Sequence, residues 1–256
     1  MSTCVCFTFS WNFSLQIQTK SELTNETSGK VMGKHLTNLT FEQWLALVFD
    51  HPVDELKNAW YWDIDRDQWD EDAPETVAFL TQAFENSAEF FQPYSDAQLN
   101  QGLWFLVSNA CSSHMFALMD VSVPWTERQR CLASFHQLYE QCFARRCTPH
   151  LSHIDEPGAG PLNMVCYMWW DIIPIAGKPE DPMRSAFDHE ILRVMESTLQ
   201  LDSIPCRESA LHGLGHWQHQ YPERVGEIID RFSMTRPDLP EKLRQYMMNA
   251  YVGYVL

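Results

Sequence analysis

The chain has 256 residues, of which 45% are apolar and 13% aromatic, enough material for a sizeable core; a disordered chain is excluded. Its formal net charge of −16 repels nucleic-acid phosphates and anionic lipid headgroups, which argues against nucleic-acid or membrane-surface partners and for basic protein partners. The eight cysteines form no CxxC pair and several sit inside apolar runs, so they read as buried free thiols of a cytoplasmic protein rather than a disulfide framework.

Residues 1–31 alternate Val5, Phe7, Phe9, Trp11, Phe13, Leu15 and Ile17, a strand-like pattern without the basic start and continuous apolar run of a signal peptide. Met32 opens a more ordinary beginning. The expected organisation is therefore a poorly packed extension over 1–31 and a single helical domain over 32–256.

Thr40 is the N-cap of a first predicted helix with Phe41, Trp44, Leu45, Val48 and Phe49 on one face. Asp72 and Pro74 open a second, over about 75–91, with Val77, Leu80, Phe84, Ala88 and Phe91 at helical spacing. A third starts after Ser95 and continues toward Met119. Pro124 opens a fourth that carries Cys131, Leu132, Phe135, Leu138, Tyr139 and Phe143. Three prolines and two glycines make 148–161 a loop. The apolar run 162–173 reads as a buried helix, although its length also suits a strand, and 175–182 is a second loop. Helices follow at about 183–200, 205–219, 222–232 and 240–252, three of them beginning on a proline.

The fold class expected from this pattern is all-α, with antiparallel helix pairs stacked side by side. The segment Ala210-Leu211-His212-Gly213-Leu214-Gly215 resembles the inner helix of HEAT-like repeats, over roughly residues 184–252. That resemblance implies small residues where helices approach closely, and Val225, Ile228, Ile229 and Phe232 as an outer helix. Leu99–Leu106 is a weaker echo, with Gly102 lying 111 positions before Gly213. A HEAT-like α-solenoid and an irregular helical bundle both fit.

Three groups of residues could carry function. Between Asp50 and Asp96 there are 13 acids and two bases, a net of −11, and the densest part is Trp60, Trp62, Asp63, Asp65, Asp67, Trp69, Asp70, Glu71 and Asp72. Rings supply contact area and carboxylates steer Lys and Arg, the profile of a surface that docks on a basic protein. Asp63, Asp65 and Asp67 begin like a calcium loop, but Gln68 stands where Gly is required and Pro74 where a bidentate Glu belongs. The second group is Glu208, His212 and His216, spaced by four on one helical stripe, with His189, Glu190 and His219 nearby; it lacks the internal Glu of HExxH. Helical-repeat di-iron hydroxylases use several His-Glu pairs of this kind, and here there is one. The third, Cys142, Cys147, His150 and His153, offers zinc-type donors at a spacing unlike a standard finger.

No phosphate loop, nucleophile elbow or dinucleotide fingerprint is present, and no cofactor is expected. The leading expectation is a non-enzymatic binding module, in one concrete form an immunity or inhibitor protein that plugs a cationic cleft. The alternatives are a metal-dependent enzyme on the Glu208/His212/His216 stripe and a scaffold with no dedicated target.

Overall fold

The computed structural model describes residues 33–54, 56–69 and 72–255. The extension over 1–31, with Cys4 and Cys6, lies outside the described residues. So do Asp70 and Glu71 of the acidic segment.

The structure is 61% helical and 2% strand, an all-α fold. In chain order the helices are α1 (Phe41–Phe49), α2 (Ala73–Glu85), α3 (Ser87–Phe90), α4 (Asp96–Val107), α5 (Trp125–Leu138), α6 (Ala144–Arg146), α7 (Pro161–Ile172), α8 (Ser185–Leu199), α9 (Ile204–Trp217), α10 (Pro222–Thr235) and α11 (Glu241–Tyr251). Short 3-10 turns cover Trp60–Trp62 and His114–Met119, and a π turn at Tyr139–Phe143 joins α5 to α6. No described helix is long and apolar enough to cross a membrane.

Local chemistry explains six of the eleven described helix starts. Thr40 and Ser95 each accept a hydrogen bond from the backbone N–H three residues on, while Gln43 and Gln98 reach back to the cap amide. Prolines stand in the first turns of α2, α7, α9 and α10, where a missing N–H leaves no intrahelical bond unmade.

Three expectations need correction. The helix predicted over 75–91 breaks at Asn86, whose backbone leaves the helical region (φ −124°, ψ 34°), and the new frame buries Ser87 and exposes Ala88. The helix predicted to run on toward Met119 stops at Val107. Beyond it the Ser108 carbonyl accepts the amides of Cys111 and Ser112, and the Ser112 hydroxyl donates to the Phe105 carbonyl at 2.6 Å. A two-residue parallel bridge, β1 (His35–Leu36) with β2 (Gln68–Trp69), was not foreseen. Two residues are too few to carry an alternating pattern.

Alternate helices pack into two rows. One runs α1–α4–α7–α9–α11 and the other α2–α5–α8–α10, and α8 and α9 bridge them. The apolar side chains between the rows form one continuous core that includes Trp44, Phe84, Phe135, Tyr139, Trp169 and Phe232. In α9 nearly every residue is buried, because α7, α8, α10 and α11 all pack on it.

Close approach to α9 depends on Gly213. A Cβ there would lie 2.7 Å from Trp170 Cγ and 2.8 Å from Trp170 Cβ, atoms held by the α7 backbone. Gly102 is equally tight against Phe49, at 2.2 Å. Gly226, in the middle of α10, has nothing closer than 3.7 Å. Gly213→Ala is therefore expected to destabilise by about 1–3 kcal/mol through overpacking. Gly226→Ala is expected to be neutral or to stabilise by up to about 1 kcal/mol, since helix propensity alone acts there. Urea unfolding of both variants checks the contrast, and equal losses would show that packing at α9 is not limiting.

Candidate functional site

The acidic segment leaves α1 and returns to α2 as a loop tied down at its base. Lys34 N–H donates to Asp67 Oδ1 at 2.8 Å, and Asp65 N–H donates to Asp63 Oδ1 at 2.9 Å, so two of the carboxylates also shape the loop. Trp69 is not a surface residue: it is 8% exposed, stacks on Phe79 and rests against His114. Trp60 is half-buried, stacked on His51 with ring centroids 3.9 Å apart and packed against Phe105. Of the segment's three indoles, Trp62 alone faces solvent, at 57%. Two aliphatic residues of the same segment that are absent from the sequence-based set are also exposed, Leu56 at 96% and Ile64 at 79%. In the same segment Asp54, Asp63, Asp67 and Asp72 are exposed and Asp65 is half-buried.

Under this loop lies His114. Trp44 Nε1–H donates to His114 Nε2 at 3.1 Å, which leaves Nδ1 to carry the proton toward Ser112 Oγ at 3.0 Å. Burial pushes the imidazole down to about 3, because a charged ring would be stranded away from water.

The α9 stripe is assembled differently from the sequence expectation. Glu208 has no exposure, and both its oxygens are taken by the 148–160 loop. Ser152 N–H donates to Oε2 and His153 N–H to Oε1, each at 2.9 Å, and His153 Nδ1 lies 2.5 Å from Oε1. Glu208 is thus spent on holding a loop and is not a ligand beside His212 and His216. One turn on, His212 Nδ1 meets Tyr246 Oη of α11 at 2.6 Å, and Tyr246 Oη meets Tyr167 Oη of α7 at 3.2 Å. The Tyr246 ring also stacks on His153, with centroids 4.1 Å apart. Burial first, and then the neighbouring His216 and His153, push His212 down to about 3.

At the open end of the stripe His216 Nε2 lies 3.1 Å from His212 Nε2 and 3.3 Å from Asp171 Oδ1. The sequence-based set missed Asp171, although it is the one charged residue in 161–173 and stands four positions after Tyr167 on α7. Asp171 and His216 line a cleft of about 450 Å³ whose walls include Met119, Ile175, Lys178 and Trp217.

The remaining candidates stay apart. His189 bonds the Ser185 carbonyl of its own helix, and Glu190 pairs with Arg193 and Gln129. Cys142 is buried in the π turn, whereas His153 belongs to Glu208, so the Cys142/Cys147/His150/His153 set does not converge. The six described cysteines are free, four of them buried. No protein-family model, curated protein or solved structure matches the chain.

His114 and His212 both have folded values below the ordinary imidazole value of 6.5. The unfolded chain therefore binds more protons than the folded one between about pH 6.5 and pH 3, and stability is full above 6.5 and falls as pH drops through that window. Urea midpoints measured from pH 7.5 to 4 are expected to decline. In His114→Gln, which can still accept the Trp44 N–H, the decline below pH 6.5 should be shallower. An identical slope would mean that His114 is not neutral in the folded protein.

Proposed function

We propose that this protein is a helical binding module of the HEAT-like type that docks its 54–67 loop on a basic protein partner in the cytoplasm. The observation that carries the reading is that Leu56, Trp62 and Ile64 are each exposed on the same loop that exposes Asp54, Asp63 and Asp67. Large apolar side chains held in water are unfavourable for the free protein and become favourable when a partner covers them. Carboxylates on the same loop select a cationic partner and speed encounter. The base of the loop is fixed through Trp69, His114 and the bridge to β1, so little order has to be gained on binding.

The alternation of helices between two rows supports the HEAT-like reading, because stacked helix pairs present long surfaces to macromolecules. Free thiols at every described cysteine support a reducing compartment. A concrete form of the function is an inhibitor that seats the loop in the cationic cleft of a toxin or enzyme, with Trp62 as the buried anchor.

Trp62→Ala is expected to change folding stability by no more than about 0.5–1 kcal/mol. Trp69→Ala should cost about 3–5 kcal/mol, because that ring is packed. With the full chain immobilised, host-lysate proteins of strongly basic pI should be retained at low salt and released as salt rises. Trp62→Ala with Ile64→Ala should weaken that retention by about 30-fold or more. Capture that is indifferent to salt and to both substitutions would overturn the reading.

A further inference from the structure

The geometry points to a divalent transition-metal site formed by Asp171 Oδ1, His212 Nε2 and His216 Nε2, opening on the cleft between α7 and α9. This site is independent of the docking loop and of the function proposed for it.

The distances carry the inference. For bonds of about 2.1 Å, adjacent ligand atoms are separated by about 3.0 Å in octahedral and about 3.4 Å in tetrahedral coordination. The His212–His216 and His216–Asp171 edges are 3.1 and 3.3 Å, and one ligand atom from each of the three residues lies within 4.8 Å of the other two. Proton bookkeeping points the same way. With His212 Nδ1–H donating to Tyr246, His212 Nε2 presents a lone pair, and a single His216 Nε2–H faces both that lone pair and the Asp171 carboxylate. In the other tautomer His212 Nε2–H serves His216 Nε2, and nothing stands between His216 Nε2 and Asp171. A cation satisfies all three atoms at once.

The surroundings suit a ligand set. His212 is oriented by a hydrogen bond from its other nitrogen to Tyr246, which Tyr167 holds in turn, the outer-shell support typical of metal-bound imidazole. His212 and His216 project from the same face of α9, one turn apart, and Asp171 comes from the last turn of α7, the helix most closely packed on α9. His212 is 1% exposed, while Asp171 and His216 are open to the cleft. Three protein ligands closed on one side and open on the other leave positions for water or an added ligand. Two histidines and one carboxylate favour Zn²⁺ or Fe²⁺ over Ca²⁺ or Mg²⁺.

The test uses the full chain after chelator treatment and dialysis, titrated with Co²⁺ as a coloured probe and then with Zn²⁺ as competitor. One ion per chain is expected, with a dissociation constant below about 1 μM and a visible Co²⁺ absorption that shifts when azide is added. Asp171→Asn and His216→Ala should each weaken binding about 100-fold or more, and Tyr246→Phe about 10- to 100-fold. His189→Ala, a histidine bonded to its own helix, should leave the affinity unchanged. Circular dichroism verifies folding, and if His216→Ala does not fold, Asp171→Asn decides. Absence of one-to-one binding overturns the site. So does equal affinity in native and Asp171→Asn protein, which would place the ion on the acidic surface instead.

Discussion

Glu208 is a carboxylate with no contact with water, and the central helix could not exist around it without dedicated partners. An unpaired buried charge costs several kcal/mol, which no single packing contact offsets. The 148–160 loop removes that penalty with two backbone amides and the His153 ring. That requirement fixes the path of the loop, and the loop brings His153 under Tyr246 of α11. Tyr246 then reaches His212 on α9 and Tyr167 on α7. One buried charge therefore ties α7, α9, α11 and an irregular segment into a single arrangement, with phenols pushed well above their ordinary values by the same burial.

Packing around α9 follows from the same constraint. A helix covered on all faces leaves no room for bulky side chains where its neighbours cross, so Gly213 lies against Trp170 and Gly215 against Val255. The neighbouring helices keep ordinary amphipathic faces, such as Val225, Ile228, Ile229 and Phe232 on α10. The acidic 54–67 loop lies at the other end of the helical order, between α1 and α2. Its buried anchors, Trp69 and His114, rest on Phe79, Trp44 and Phe105 and not on the α9 network.

Helix positions were legible where local chemistry decides them. Thr40 and Ser95 carry cap and capping-box signals within four residues, and prolines mark four helix starts. Three features depended on contacts outside any window. The break at Asn86 is set by which of Ser87 and Ala88 the core accepts, and periodicity alone prefers Ala88. The end of α4 at Val107 depends on serine side chains competing for backbone groups, whereas the apolar pattern runs past it. Asp171 looked like the tail of an apolar helix, since its partners lie 41 and 45 positions later. Conversely, the even spacing of Glu208, His212 and His216 identified a real stripe but not its division of labour. Spacing places side chains on one face; it does not say which of them a loop will occupy.

The stripe itself changes character along α9. At its buried end each polar atom has an assigned partner, and replacing Glu208 would leave two amides and an imidazole without one. At its open end three lone-pair atoms share too few protons and face a cleft. Buried polar groups are often replaceable by well-packed apolar ones with no loss of stability, so folding alone does not call for histidines at both 212 and 216. Glu208 can be explained by the loop it holds and His212 by Tyr246. His216 and Asp171, about one-third exposed, contribute little to either arrangement. Their geometry is better accounted for by something that binds between them than by anything they do for the fold.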